Sequence, residues 1–199
     1  MTRCETIRNL AEIHLGYQLR KKPETDEAGE ILLIQLRDIN KDRTELALSA
    51  DTVRFNPERS ISKQLLEEGD VLFMAKGSKP FACTVRNLPG PATATGMFFI
   101  LRPNTQRVAP EYLAWALNRD EALRALMIAS GTGVAMPVIR RSVLEEFLIP
   151  LPALKIQQRI GELKRLAEEE QDLLKELAVQ KEKLIRAVCG KLCKQGDNP

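Results

Sequence analysis

PLPALKIQQRI, residues 150–160, marks the point at which the character of the chain changes. Pro150 and Pro152 stand close together there, and no proline follows between Leu154 and Leu192. A proline donates no backbone hydrogen bond and restricts the residue before it, so this pair ends the preceding strand and fixes where the chain leaves it. The stretch predicts three parts: a folded domain over residues 1–152, a helix over residues 153–193 and a flexible tail over residues 194–199.

The segment after the prolines has the composition of one long helix. Leu, Lys, Glu, Gln and Ala dominate it, and it contains only two glycines. A helix over residues 154–192 is about 60 Å long at 1.5 Å per residue, which exceeds the width of a domain of this size. Because so long a helix has too little domain to cover it, the sequence favours self-association. Packing against its own domain stays an alternative, since Leu166, Leu173 and Ile185 widen the apolar stripe.

A coiled-coil seam runs along this helix, with positions that alternate in steps of three and four. The seam residues are Ile160, Leu163, Ala167, Glu170, Leu174, Leu177, Lys181, Leu184 and Val188. If two copies pair antiparallel about an axis between residues 175 and 176, Glu170 of each copy faces Lys181 of the other. A parallel pair would instead bring like charges together. The seam therefore predicts an antiparallel homodimer.

Residues 1–152 alternate between short apolar runs and polar turns, which is typical of a compact sheet. We expect an α+β fold: a mainly antiparallel sheet with small helices, followed by the one long C-terminal helix that forms an antiparallel coiled coil. Strands are expected near residues 11–19, 31–39, 45–55, 70–77, 81–86, 96–102 and 146–151, and short helices near residues 60–68, 110–130 and 140–146. Trp115 lies on the apolar face of the second helix and is expected in the core.

The composition is that of a folded protein without a membrane segment. Of the 199 residues, 44% are hydrophobic and 29% are charged, and the net charge of +3 is not concentrated in one region. No window approaches the roughly 18 apolar residues of a membrane span, and the N-terminus lacks the apolar block of a signal peptide. These features predict a cytoplasmic protein.

Metal, cofactor and catalytic chemistry find little support in the sequence. The four cysteines form no CxxC, so reduced thiols are expected, with a two-ligand metal site at Cys189 and Cys193 as the lesser alternative. His14, the only histidine, is expected to be a packed or solvated ring. A P-loop, a nuclease pattern of carboxylates and lysine, and the cofactor turn of an adenine methyltransferase are all missing. We therefore assign no catalytic residue, no metal site and no cofactor.

Several stretches, taken in order, resemble one known family. They are LAEIHLGYQLR, ILLIQLRDI, LLEEGDVLFMAKGS, FFILRPNTQRVAPEYLAWALNR and SGTGVAMPVIRRSVLEEFLIPLPALKIQQRI, followed by the long helix. This order is similar to the specificity subunit of type I restriction-modification enzymes, most specifically at Gly69, Asp70, Pro150, Pro152, Gln157 and Ile160. In that family a target recognition domain reads a few base pairs, and a helix spaces it from a second such domain. The usual subunit carries two of these units, whereas this chain resembles one half.

The resemblance implies a function and a set of partners. It implies a non-catalytic, sequence-specific DNA recognition subunit that acts as a homodimer and reads a bipartite inverted-repeat target. The implied partners are double-stranded DNA, a second copy of the chain, DNA methyltransferase subunits and, as an open point, restriction or translocase subunits. Gln157 is expected either to pack at the helix start or to bind a partner. The competing interpretation is a coiled-coil scaffold or assembly protein without DNA recognition.

Polar loops are the candidates for DNA contact, since phosphate contacts set the register of a protein on DNA and base-edge contacts read the sequence. Two clusters combine charge, glycine and a loop position: AKGSK at residues 75–79, and GTG at residues 131–133 with the two arginines that follow. The predicted DNA-binding residues are Lys21, Lys22, Arg37, Lys41, Arg43, Lys76, Gly77, Ser78, Lys79, Ser130, Thr132, Arg140 and Arg141.

Overall fold

The computed structural model describes residues 3–19, 25–26, 28–40, 42–43, 45–77, 79–131 and 138–195. Its strands, in chain order, are β1 (Cys4–Thr6), β2 (Ala11–Leu15), β3 (Ile31–Ile34), β4 (Arg54–Phe55), β5 (Val71–Met74), β6 (Ala82–Thr84), β7 (Ala92–Ala94), β8 (Phe98–Pro103) and β9 (Leu148–Pro150). Its α-helices are α1 (Pro110–Leu117), α2 (Asp120–Ala129), α3 (Arg141–Glu146) and α4 (Leu154–Gln195). The chain divides into two compact units, Met1–Gly161 and Glu162–Pro199.

Three small sheets build the first unit. The largest has the order β2-β8-β5-β6, and all of its neighbouring strands are antiparallel. A second sheet, β4-β3-β7, joins an antiparallel pair to a parallel one, and β1 pairs with β9 in an antiparallel two-stranded sheet. The predicted α+β class, with mainly antiparallel sheets, small helices and one long C-terminal helix, is confirmed. None of the described helices combines the length and the apolar character that a membrane crossing requires.

Strand β5 lies at the centre of this unit, with all four of its side chains buried. Because successive side chains point to opposite faces of a strand, β5 contributes to two different cores. Phe73 packs into a cluster with helix α1, and Leu72 packs into a cluster with the β3 and β7 residues. The sequence of β5 is a continuous apolar run because both faces of the strand are buried. Helix α1 covers one face and the smaller sheet covers the other. The predicted core residue Trp115 is half-buried and packs against the first of these clusters.

Two sequence-based expectations between residues 45 and 68 are wrong. The helix expected over residues 60–68 is only a 3₁₀ turn, Ser62–Gln64. Its carbonyl groups bind tertiary partners instead, because Gln64 O accepts from Thr93 Oγ1 and Leu65 O accepts from Arg102 Nη2, each at 2.7 Å. The strand expected over residues 45–55 is reduced to β4, since the preceding turn is held by a hydrogen bond from Thr52 Oγ1 to Asp38 Oδ1 at 3.0 Å.

Two other elements are shorter than expected. The strand over residues 31–39 ends at Ile34, because the side chains of Gln35 and Asp38 close a capping box around a 3₁₀ turn. The helix over residues 110–130 is broken into α1 and α2 at Asn118. The Asn118 carboxamide bonds the backbone of Ala82 in both directions, at 2.8 and 2.7 Å, so this residue pairs with β6 like an added strand residue.

The Gly69–Asp70 pair anchors the turn into β5. Gly69 has a φ of 86°, a conformation that favours glycine. The Asp70 carboxylate is 1% exposed and accepts two hydrogen bonds from Arg102, from Nε at 3.0 Å and from Nη2 at 2.8 Å. The hydrogen bond with Asp70 also raises the pKa of Arg102. This pair joins the start of β5 to β8, so the motif of the resemblance has a structural role here.

The first two turns of α4 are part of the first unit. Gln157 is 1% exposed, and its Oε1 accepts from the Ala109 N–H at 3.0 Å. Its Nε2 donates to Arg107 O at 3.1 Å and to Pro152 O at 2.9 Å. The side chain thus binds the loop before α1 and the chain between β9 and α4. The structure supports the packing role of Gln157 at the helix start.

The two glycines of α4 stand in opposite environments, which gives a matched pair of variants. A Cβ added at Gly161 would lie 2.7 Å from Glu111 Cβ, whereas nothing lies within 4 Å of one added at Gly190. We expect Gly161→Ala to cost about 1 to 2 kcal/mol, because the overlap outweighs the gain in helix propensity. Gly190→Ala should leave stability unchanged or raise it slightly. Thermal unfolding followed by circular dichroism checks both, and equal stability of the two variants would contradict this packing.

Candidate nucleic-acid interface

The first predicted DNA-binding cluster, residues 75–79, lies beside the segment that leads to Arg140 and Arg141 of the second cluster. Lys76 pairs with Val138 in an antiparallel bridge, and the Ile139 N–H donates to Ala75 O at 2.8 Å. We call the described residues of these segments, 75–77, 79 and 138–141, the loop pair. The loop pair brings together two stretches that are far apart in sequence, as a DNA-contacting surface made of both clusters requires.

Gly77 shapes the first segment of the loop pair. Its φ is 138°, and a Cβ at this position would lie 2.5 Å from Met74 Cε. Both facts favour glycine here, because other residues rarely adopt this φ and the space is filled. Gly77 therefore shapes the turn that directly follows Lys76.

Arg43 adds a third cation to this surface. Its Nη1 donates to Lys79 O at 2.7 Å, and its guanidinium lies 5.1 Å from the centroid of the Phe81 ring. The backbone of Arg43 has a φ of 62°, which is uncommon outside glycine. A carbonyl, an aromatic face and a tight turn thus hold this arginine beside the loop pair. A guanidinium held in this way loses less side-chain freedom when it binds a ligand.

The two arginines at the end of the loop pair differ in their contacts. Arg140 directly precedes α3 and is exposed. Arg141 is exposed too, but its Nε donates to Glu145 at 2.6 Å within the same helix. Arg141 also lines an open groove with Arg8 and His14. Phosphate binding by Arg141 would have to compete with the Glu145 carboxylate.

Two predicted residues make local contacts instead. Arg37 Nη2 donates to Asp51 O at 3.0 Å, and Ser130 Oγ donates to Leu126 O at 2.7 Å at the end of α2. Among the described residues, no hydrogen bond or ion pair connects either side chain to the loop pair. Five further predicted residues lie outside the described residues: Lys21, Lys22, Lys41, Ser78 and Thr132.

Sequence reasoning missed two residues of this surface. Phe81 supports Arg43, and Val138 lies 47% exposed beside Lys76. Phe81 carried no signal of this role, because an aromatic residue at a strand start is normally assigned to the core. Val138 could have been found from the alternation with Ile139, which is buried.

In the described part of the chain, no three His, Cys, Asp or Glu side chains come together to hold a metal ion. Cys83 is buried, and desolvation raises the pKa of its thiol to about 12. Cys189 and Cys193 are exposed. His14 is partly buried, with its Nε2 3.4 Å from a carboxylate oxygen of Glu12.

The second unit carries an exposed apolar stripe along α4. Five seam residues are at least 47% exposed, namely Leu163, Leu174, Leu177, Leu184 and Val188, and Ala167 is exposed as well. Ile160 differs, because it packs against the core of the first unit. Exposed apolar stripes of this kind are typical of surfaces that contact another protein segment.

Glu170 and Lys181 are the two charged residues of the α4 seam. Several neighbours form ion pairs along the helix, such as Lys164 with Glu168 at 3.3 Å and Arg186 with Glu182 at 2.8 Å. Glu170 and Lys181 take part in no ion pair with any described residue, and both are exposed. Their charges are therefore available to a second helix that packs on the seam.

The family comparison and the structure comparison point to the same kind of protein. The family model described as type I restriction modification DNA specificity domain matches residues 5–178. No curated protein sequence matches the chain. Three of the solved structures that share the fold have low identity to this chain, and the chain spans less than half of the length of each.

The first of these structures concerns complex assembly and conformational transition of the type I R-M system, with 18% identity and a TM-score of 0.64 over 94% of this chain and 43% of that one. The second is the HsdS subunit from Thermoanaerobacter tengcongensis, with 17% identity and a TM-score of 0.58. The match covers 87% of this chain and 39% of that subunit. The third is the type I restriction-modification system S subunit from M. genitalium, with 14% identity and a TM-score of 0.55. The match covers 89% of this chain and 41% of that subunit.

Proposed function

Because the chain belongs to the type I restriction modification DNA specificity domain family, we propose that it reads the DNA target of a type I restriction-modification system through the loop pair and Arg43. The observation that carries this proposal is the pairing of Lys76 with Val138, which brings the first predicted DNA-binding cluster next to the segment that leads to Arg140 and Arg141. The chain contributes recognition and no catalytic residue. Its complex acts on DNA in the cytoplasm.

The chemistry of this surface suits duplex DNA. Lys76 and Lys79 provide ammonium groups for phosphate oxygens, and Arg43 and Arg140 provide guanidinium groups that can bond O6 and N7 of guanine together. Gly77 shapes the turn that directly follows Lys76. The other proposed contacts are Lys21, Lys22, Arg37, Lys41, Ser78, Ser130, Thr132 and Arg141.

We propose that two copies of the chain pair antiparallel through the seam of α4. The register in which Glu170 faces Lys181 is favoured over the two registers shifted by one heptad. A shift of one heptad in either direction sets Glu170 against Leu174 or Val188, and Lys181 against another apolar residue. In the favoured register both charges are paired twice, about the two-fold axis. The exposed apolar stripe and the absence of any partner for these two charges within the described chain support the pairing.

A two-fold pair of recognition domains has a direct consequence for the target. Two identical surfaces related by a two-fold axis read two identical half-sites in inverted orientation. The target is then a bipartite inverted repeat, and the paired helices set the spacing of its halves. The DNA-bound pair recruits methyltransferase subunits, and restriction or translocase subunits where the system contains them.

Salt-dependent binding to duplex DNA tests the recognition role. Affinity for a labelled pool of random-sequence duplexes, measured by fluorescence anisotropy, should fall steeply with salt, by about 0.9 log units per log unit of salt for each phosphate contact. Lys76→Ala combined with Lys79→Ala should reduce that slope by about two in each chain. The control is Lys155→Ala with Lys183→Ala, which removes the same charge from exposed positions of α4.

The outcomes separate three interpretations. A loss of slope confined to the Lys76 and Lys79 variant supports DNA contact by the loop pair. An equal loss in the control places the DNA elsewhere on the protein. A chain that binds no duplex at any salt concentration is a coiled-coil scaffold, and the proposed function is then wrong.

A further inference from the structure

One apolar side chain lies within the cationic surface. Val138 is 47% exposed, it pairs with Lys76, and Arg140 follows two residues later. Other large apolar side chains of the first unit are exposed as well, but no bridge or hydrogen bond among the described residues connects them to the loop pair. They are Leu36, Ile128, Leu148 and Ile156.

The backbone fixes the direction of the Val138 side chain. Ile139 is 2% exposed and Ala75 is 3% exposed, so this neighbouring pair faces the core. Side chains alternate along an extended chain, and paired residues of two strands point to the same face. Val138 and Lys76 therefore project together to the outer face. The result is a branched apolar group beside an ammonium group.

Val138 is also suited to rigid contact. Its branched Cβ limits the side chain to few rotamers, so little conformational freedom is lost on binding. The backbone hydrogen bond from Ile139 N–H to Ala75 O holds the adjacent residue in place. An exposed side chain that is held in this way presents a fixed apolar surface to whatever binds the loop pair.

Duplex DNA offers one matching group. The edges of the bases in the major groove are polar, except for the C5 methyl group of thymine. We infer that Val138 contacts a thymine methyl group while Lys76 binds a phosphate beside it, which makes Val138 a specificity-determining residue. This inference rests on the proposed function, and it predicts that each half-site of the target contains a required thymine.

The experiment begins with selection of duplexes bound by the full chain from a random-sequence pool. The selected target is then prepared with uracil in place of thymine, one position at a time in each half-site. Uracil lacks only the C5 methyl group and keeps the same base pair. At one position, uracil should weaken binding by the wild-type chain about fourfold per half-site, the value of one buried methyl-sized group.

Two variants make this test specific to Val138. The Val138→Ala chain should bind the thymine and uracil forms of that position equally, because its side chain no longer reaches the methyl group. Ile128→Ala removes an apolar side chain that is 67% exposed elsewhere, and it should keep the fourfold preference of the wild type. Both substitutions are at exposed positions, so both variants should fold. Circular dichroism checks this.

The possible results distinguish the inference from the proposed function. If a target is selected but no thymine position separates Val138→Ala from the wild type, the inference is wrong and DNA recognition stands. A selected target without a required thymine overturns it as well. If no sequence is enriched, the proposed function fails and the inference fails with it.

Discussion

Lys181→Glu is expected to weaken the proposed homodimer by at least about 100-fold, a loss of roughly 3 kcal/mol of association free energy. In the antiparallel register this one change removes two ion pairs and creates two pairs of facing carboxylates. Each of these lies in an apolar seam, where repulsion is screened less than at an open surface. The mass of the full chain, measured by light scattering across a dilution series, gives the change in dissociation constant.

The control and the rescue follow from the same register. Lys183→Glu makes the same change of charge outside the seam, so it should leave the dimer intact. Combining Lys181→Glu with Glu170→Lys restores opposite charges at both positions and should recover most of the affinity. A double variant that is no better than Lys181→Glu alone would show that Glu170 and Lys181 do not face each other.

Asp70→Asn is expected to lower the free energy of unfolding by about 3 kcal/mol. The buried carboxylate loses its charge, and the Arg102 guanidinium, whose side chain is only 24% exposed, keeps its own. The asparagine side chain has only one acceptor oxygen, so one of the two hydrogen bonds from Arg102 is lost and the other no longer joins two opposite charges. Urea unfolding at constant pH measures the difference.

Glu67→Gln provides the matched comparison. Glu67 binds the same guanidinium through Arg102 Nη1 at 2.8 Å, but its side chain is 65% exposed. An exposed ion pair contributes little, so this variant should lie within about 0.5 kcal/mol of the wild type. Equal losses from both variants would mean that burial does not distinguish the two carboxylates.

The elements with strong hydrophobic patterns could be predicted from the sequence, because a helical repeat and a continuous apolar run are visible in the sequence itself. The long helix α4 and the buried strand β5 are of this kind. Elements held by tertiary side-chain bonds could not be predicted. The break between α1 and α2 depends on the bonds between Asn118 and Ala82, and the loss of the helix near residue 64 depends on Thr93 and Arg102.

The candidate site shows the same division. The composition of the loops pointed to Lys76, Lys79 and the two arginines, because charge and glycine in polar loops are visible in a single sequence. The partnership between Lys76 and Val138 is not visible there, since it depends on a bridge between distant segments. The role of Phe81 beneath Arg43 depends on the fold in the same way.

The buried carboxamide of Gln157 has a consequence for how the chain unfolds. Its three hydrogen bonds tie the start of α4 to the loop before α1 and to the segment after β9. Amide protons in residues 156–161 should therefore exchange with solvent only when the globular unit opens as a whole. In the part of the chain that the structure describes, the helix beyond residue 161 has no tertiary hydrogen bonds like those of Gln157. Its amide protons should therefore exchange without opening of the globular unit. One uninterrupted helix would thus contain two cooperative units, with their boundary near Gly161.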